Sequence, residues 1–445
     1  MSGDSREHWT GRTGFVLAAV GSAVGLGNMW RFSYLTAEQG GAAFVLLYLL
    51  FTALVGLPVM LAEFSIGRGA QRSPIQALGH YGGPRWRWLG GVFVLAGFVI
   101  LSYYSVIAGW AVRYGVEAAL FGFPADASAY FSRVSEGWDA FAYHAAFMAL
   151  SVIVVRGGVK DGIERAASLM MPALFFLVVG IALYAATLEG ASRGYAYYLN
   201  VDFSKITDWN VVVSAAGQAF FSLSIGMGVM LTFASYLTRD HDLPGESLLI
   251  AVSDFGVAFV AGFMVFPVIF ALGLQSDVIG ADTGTIGALF IALPKAFATM
   301  GDAGRIVGVC FFAALIVGAL TSAISLLEVV VSAAIDGLGW GRGQAAVRVG
   351  IAIGLLGTPS ALGIAFLDAM DTVANQVLLI GGGLGLAVFT GYVMRDPLVA
   401  AREGSGGFDW TPVWLPLLRY GVPVILGAIL LSSIPATWSK LVALF

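Results

Sequence analysis

A chain of 445 residues that is 58% hydrophobic and only 11% charged, with a mean hydropathy of +0.86, is no soluble enzyme or nucleic-acid binder, since soluble domains carry about 25% charged residues. The formal charge of −4 is too small to point to a charged partner. One cysteine, Cys310, excludes an internal disulfide or a cysteine-held metal, and four scattered histidines show no ligand spacing.

Long apolar runs without strand-like alternation predict an all-α polytopic membrane protein embedded in a lipid bilayer. Eleven transmembrane helices are expected, at roughly 13–37, 41–66, 89–121, 138–155, 164–187, 211–237, 246–274, 304–334, 345–358, 367–394 and 412–436. Several exceed the ~20 residues a bilayer needs, so tilt is expected. The polar start (Asp4, Arg6, Glu7, His8) has no cleavable apolar region, so no signal peptide is expected. Between the seventh and eighth spans, 275–302 holds its own apolar patch, 286–297, and reads as a hairpin folded back onto the protein.

Basic residues set the expected orientation. With the N-terminus inside, the inner segments collect Arg6, Arg12, Arg68, Arg72, Arg85, Arg87, Arg156, Lys160 and others, while the outer ones hold only Arg133, Arg193, Lys205, Lys295, Arg305 and Lys440. This imbalance predicts a multi-pass plasma-membrane protein with a cytoplasmic N-terminus and an extracellular C-terminus.

The first span carries Gly21-Ser-Ala-Val-Gly-Leu-Gly-Asn-Met-Trp-Arg-Phe32, three glycines with an Asn and an Arg at membrane depth. Backbone in lipid must satisfy itself, so such residues have to line protein or a cavity. Val24-Gly25-Leu26-Gly27 recurs in the sixth span as Ile225-Gly226-Met227-Gly228. One Gly-x-Gly would only suggest close helix approach. Two copies, each beside hydroxyl or amide side chains, predict paired broken helices, the mark of a transporter site. An offset of five spans inverts the second copy, giving a single domain of two five-span repeats, about 11–187 and 211–394, with an added eleventh helix at about 412–436. Nothing marks a separate domain.

These motifs, together with Arg6-Glu-His-Trp9, Tyr103-Tyr104, Gly217-Gln-Ala-Phe-Phe-Ser-Leu-Ser224, Leu320-Thr-Ser322 and Leu367-Asp-Ala-Met-Asp371, resemble the neurotransmitter:sodium symporter family over essentially the whole chain, and most of all its bacterial eleven-span amino-acid transporters. The resemblance implies a sodium-coupled symporter of hydrophobic L-amino acids, aliphatic to aromatic, working by alternating access. A non-transporting sensor or a ligand-gated channel on the same fold is the alternative. No constellation points to an enzyme.

A free amino acid is a zwitterion, so a dry site must answer both charges. The break near Leu26 and Gly27 offers N–H groups to a carboxylate, and the resemblance adds the Tyr104 hydroxyl. Taken alone, Tyr104 would read as an ordinary packing tyrosine. Carbonyls near Phe220 and Ser222 would meet the ammonium. By resemblance the substrate-binding residues are Ala23, Leu26, Gly27, Ile100, Tyr104, Phe220, Phe221, Ser222, Ser224, Met227 and Leu326.

The resemblance implies two Na+ sites, each an oxygen cage. The first would use Ala23, Asn28, Ser222 and Asp254 with the substrate carboxylate, and the second Gly21, Val24, Gly318, Thr321 and Ser322. In chloride-dependent relatives an Asn matches Asp254 and a Ser matches Ala258; a carboxylate there implies chloride independence. Arg31 with Asp371 would form the extracellular gate under a Phe221 lid. Arg6 with Asp336 would form the cytoplasmic one beside Trp9, with Tyr236 and Glu328 in the same network. Gly162 and Pro172 could unwind the fifth span's inner end to release sodium, or simply mark a helix entry.

Overall fold

The computed structural model describes residues 6–275, 288–407 and 409–442. Among them the main helices are α1 (Arg12–Ala23), α2 (Gly27–Glu38), α3 (Ala42–Ala70), α4 (Pro84–Leu120), α5 (Trp138–Arg156), α6 (Val159–Ala185), α7 (Trp209–Ser222), α8 (Val229–Ala234), α9 (Leu243–Ala271), α10 (Leu289–Thr299), α11 (Gly301–Leu338), α12 (Arg342–Leu362), α13 (Ile364–Val393) and α14 (Thr411–Pro435). Nine continuous helices among the described residues are long and apolar enough to cross a bilayer, and the bent pair α1–α2 makes a tenth candidate. The expected sixth span is divided into α7 and α8, neither of which reaches that length alone. The expected hairpin at 275–302 lies partly outside the described residues. Its described portion, α10, is a short apolar helix.

Exposed apolar side chains such as Leu169, Phe176, Val424 and Leu431 face outward because hydrocarbon, not water, surrounds the bundle, so only backbone polarity has to be hidden. Inside, small residues bring helices close. Gly97 on α4 lies against the Leu326 carbonyl of α11, and Gly115 against Phe312 and Ile316 of the same helix. The long pair α4–α11 thus runs side by side through the middle. At one end, Trp110, Tyr114, Phe131, Phe290 and Phe312 stack together, and the Tyr114 hydroxyl donates to the Phe290 carbonyl at 2.7 Å, pinning α10 across the bundle. At the other end Arg68 is buried and donates to the carbonyls of His241, Ala400 and Glu403, tying two loops to α3.

Both expected breaks are present. α1 ends at Ala23, Val24 is extended (φ −81°, ψ 98°), and the chain resumes at Gly27 bent by 54°. α7 ends at Ser222, and residues 223–228 form an irregular turn in which Ser224, Gly226 and Gly228 have φ of 52°, 77° and 73°. Glycine adopts that left-handed region freely, which is why helix gives way here. Ser224 has a Cβ and is held by its own side chain, whose hydroxyl donates to the Ser22 carbonyl at 2.8 Å. α6, by contrast, is wound continuously through Gly162 and Pro172, with wide turns over Val159–Glu164. Gly162 serves close packing there: a Cβ would fall 2.1 Å from the Val154 carbonyl. The unwinding considered for this end is not seen in this structure.

Candidate functional site

The two breaks meet at the centre of the bundle, and their freed backbone groups define the site. In an unbroken helix the Gly25 N–H would bond the Gly21 carbonyl and the Asn28 N–H the Val24 carbonyl. Instead Gly25 N–H donates to Asn28 Oδ1 at 3.1 Å and Asn28 N–H to the Gly25 carbonyl at 3.2 Å. The carbonyls of Gly21 and Val24 thereby lose those helical donors. α11 presses on this stretch: a Cβ at Gly318 would lie 2.8 Å from Met29 and 3.3 Å from the Gly25 backbone, and one at Gly25 would lie 2.4 Å from Ser322 Oγ.

Gly318, Thr321 and Ser322 therefore sit beside the break, as expected. Their hydroxyls currently bond back to their own helix: Thr321 to the Gly318 carbonyl at 2.9 Å, and Ser322 to Gly318 at 3.2 Å and across to Ser22 at 3.2 Å. This arrangement is common for Ser and Thr in membrane helices. These hydroxyls and the freed carbonyls are all oxygens, the donor type a hard cation takes.

Around Asp254 the chain collects polar groups from four helices. The carboxylate accepts from Asn28 Nδ2 at 2.6 Å, from Ser222 Oγ at 2.9 Å and from the Tyr48 hydroxyl at 3.0 Å, and all four residues are buried. A charge in this position needs such partners. With the amide as oriented, Asn28 offers N–H rather than oxygen to the carboxylate. A cation entering here would replace donors, and Asn28 would turn its oxygen inward. Tyr48 was not anticipated from sequence. Nor was Gln218, which donates to the Gly27 carbonyl at 2.9 Å.

Between the breaks lies a cavity of about 20 Å³ lined by Ala23, Leu26, Gly27, Ile100, Tyr104, Phe221, Ser224, Met227 and Leu326, with Ser22, Gly25 and Ser322 in addition. That space holds little more than one water, so the walls must move to admit an amino-acid side chain. Phe220 and Ser222, named for their carbonyls, do not line this cavity with their side chains. Ser222 turns to Asp254 and Tyr48, while the Phe220 ring packs where a Cβ at Gly383 would be, 2.3 Å away. Side chains at successive helical positions diverge by about 100°, so only part of the run can face one cavity. The Tyr104 hydroxyl is buried at the cavity wall with no hydrogen-bond partner. An orphaned buried donor has a real cost, and an acceptor in this cavity would relieve it.

Phe221 and Gly27 separate this cavity from a second one of about 100 Å³, lined by Arg31, Tyr103, Ile107, Phe290, Asp368 and Asp371 among others. Arg31 and Asp371 thus face one space, yet they are not ion-paired. Arg31 lies over the Phe221 ring, 4.8 Å from its centroid, with one nitrogen unpartnered, and Asp371 accepts from Asn375 at 2.7 Å. On the opposite face the expected pair is made. Arg6 holds Asp336 at 3.0 Å, Trp9 donates to the Phe233 carbonyl at 2.8 Å, and Tyr236 donates to Glu328 at 2.5 Å. Arg342 joins this network by pairing with Glu328 at 2.9 Å and with Glu7 at 2.8 Å. The Arg6–Asp336 pair is therefore closed while Arg31 and Asp371 stand apart.

Sequence reading also missed Glu63. Fully buried on α3, it accepts from the backbone N–H of Gly226 at 2.8 Å and of Leu231 at 2.9 Å, holding the second break open from behind. The signal was available: a carboxylate in the apolar run 57–66 is as conspicuous as Asp254.

Paired broken helices around a buried polar centre are the architecture of a secondary transporter. The comparisons agree. The model of the sodium:neurotransmitter symporter family matches residues 6–128 and 138–382. The chain is 35% identical to a sodium-dependent transporter of Bacillus subtilis over 98% of this chain and 99% of the relative. It is 37% identical to one of Methanocaldococcus jannaschii over 85% and 80%. The solved structure of MhsT in complex with L-phenylalanine superposes with a TM-score of 0.87 at 40% identity, covering 96% of this chain and 100% of that one. The chain belongs to the sodium:neurotransmitter symporter family and is a multi-pass membrane protein of sodium-coupled, non-enzymatic type.

Proposed function

We propose that this protein couples sodium entry to the uptake of hydrophobic L-amino acids, from branched aliphatic to aromatic, by alternating access. The observation that carries this reading is the orphaned Tyr104 hydroxyl, which shares an otherwise mostly apolar cavity with the first-span break. A carboxylate would accept from Tyr104 and from N–H groups at that break, while Ile100, Met227 and Leu326 take the side chain, methionine adapting its shape to different guests. The phenylalanine bound to MhsT supports the aromatic end of the range.

The proposal includes two sodium sites, with the ligand sets that the family resemblance implies. One comprises Ala23, Asn28, Ser222 and Asp254 with the substrate carboxylate. The other comprises Gly21, Val24, Gly318, Thr321 and Ser322. An oxygen shared between substrate and the first ion makes each improve the site for the other, which is coupling in its simplest form. The eleven-span count, taking α7 and α8 as one crossing, the inverted repeat, and a cytoplasmic Arg6 face belong to the same proposal. In it, Arg31 closes on Asp371 over the loaded site before Arg6 releases Asp336.

Scintillation-proximity binding of labelled leucine, phenylalanine and tryptophan to the purified protein should require sodium. Sodium-independent binding of all three would overturn the proposal. Counterflow in proteoliposomes should exchange labelled for unlabelled substrate, which a sensor or a channel does not do. Tyr104→Phe should weaken substrate binding about ten- to a hundredfold, the worth of one hydrogen bond to a charged group, while raising the thermal stability of the substrate-free protein, because it removes a buried donor that has no acceptor. Asp254 and the adjacent methyl of Ala258 leave no need for a bound anion, so uptake with gluconate replacing chloride should equal uptake in chloride; a large loss would refute the charge argument.

A further inference from the structure

Away from the transport pathway, the packed pair α5 and α12 borders a groove of about 490 Å³ on the outside of the bundle. Its walls are apolar (Phe141, Met148, Val152, Ile153, Ile351 and Leu355), and Ile153, Ile351 and Leu355 are more than half exposed. Gly350 and Gly354 lower the α12 wall. His144 adds no free polarity to the floor, because its ring nitrogens are taken by Ser105 Oγ at 2.9 Å and the Gly354 carbonyl at 3.0 Å. The one charged lining residue is Arg156, at the last turn of α5. It is exposed, and among the described residues no carboxylate pairs with it.

We propose that this groove binds one phospholipid with an anionic headgroup, its phosphate on Arg156 and an acyl chain lying along α5. Three features favour that occupant. From Arg156 to Phe141 the helix rises roughly 22 Å at 1.5 Å per residue, more than the ~15 Å depth of one leaflet's hydrocarbon. A chain whose headgroup sits at Arg156 therefore stays in the groove for its whole length. The charge is one-sided, a single cation at one end of a lining that is otherwise apolar but for His144 and Thr358, whose polar atoms bond to the Gly354 carbonyl; that is the chemistry of a lipid and not of a partner helix needing contact along its length. Arg156 also lies beside the first turn of α12, close to where a Cβ at Gly343 would be, 3.6 Å from Nε. The positive end of that helix adds to the charge instead of neutralising it. A zwitterionic headgroup would bring its own cation to that spot and gain less.

The test is native mass spectrometry of the full-length protein, delipidated and then titrated with phosphatidylglycerol or phosphatidylcholine of the same acyl chains. We expect one retained phospholipid and a preference for phosphatidylglycerol. Arg156→Gln should reduce that preference about fivefold, the effect of one basic residue near an anionic headgroup. Ala149→Phe, which fills the groove from an exposed position, should lower retention of both lipids. Equal retention of the two lipids by the unaltered protein, a preference that survives Arg156→Gln, or a dimer in place of a lipid adduct would each overturn the proposal. Because Arg156→Gln changes only an exposed, unpaired side chain, the charge arm stands even if Ala149→Phe fails to fold.

Discussion

Glu63→Ala is expected to abolish sodium-dependent uptake and to destabilise the protein by about 2–6 kcal/mol, the penalty for leaving two buried N–H donors without acceptors. The reason lies in the second break. Turning residues 223–228 out of helix strips the Gly226 and Leu231 N–H groups of partners, and no water reaches them. One carboxylate on α3 answers both, at 2.8 and 2.9 Å. Its charge also favours the N-terminal end of α8, where backbone N–H groups converge. Glu63→Gln keeps the shape but presents an NH2 to one of the donors, so it should fall between alanine and the unaltered protein in both melting temperature and substrate affinity. Thermal unfolding of purified protein read alongside labelled-substrate binding makes the check. A Glu63→Ala protein that melts and binds normally would mean the break holds itself open.

Asp254→Ala is expected to raise the sodium concentration for half-maximal substrate binding by at least about tenfold, which is about 1.4 kcal/mol. It removes the only protein carboxylate in the proposed first ion site and takes away the acceptor of Ser222, leaving Asn28 and Tyr48 to donate to Ser222 Oγ and, for Asn28, to the backbone carbonyl of residue 254. Tyr48→Phe is the matched control. It deletes one donor to the carboxylate and to Ser222 while keeping every proposed ion ligand in place, so its sodium dependence should move much less. A sodium titration of substrate binding separates the two variants. Unchanged sodium dependence in Asp254→Ala would remove Asp254 from the coupling machinery and shift attention to the Thr321–Ser322 side.

Much of this site was legible in the sequence because bilayer chemistry makes polar residues conspicuous. Arg31, Asn28 and Asp254 stand out in apolar runs, and the repeated Gly-x-Gly locates both breaks to within a residue or two. The same logic reached Glu63 and was not applied to it, because α3 carries no glycine break to draw the eye. Tyr48, Gln218 and Ser22 left no such trace. A tyrosine, a glutamine or a serine in a membrane helix is ordinary until a neighbour is known, and their partners stand 206, 191 and 303 positions away along the chain. Phe220 and Ser222 were named for their carbonyls, and where their side chains go, Ser222 to Asp254 and Phe220 to Gly383, depends on helices far away in the chain.

By itself the sequence determined the membrane class, the positions of the helices, the two weak points in the first and sixth of them, and the residue types from which an oxygen-lined, partly apolar site could be made. These are local properties: hydropathy, glycine content, and the cost of polarity in lipid. Only the tertiary structure decided which polar groups answer one another. It closed Arg6 on Asp336 while leaving Arg31 on the Phe221 ring, set Tyr104 without a partner, and gave Glu63 the task of capping a helix on another segment. Such pairings depend on where separate helices come to rest against each other, and in a bundle packed through small residues a shift of one turn would exchange every partner.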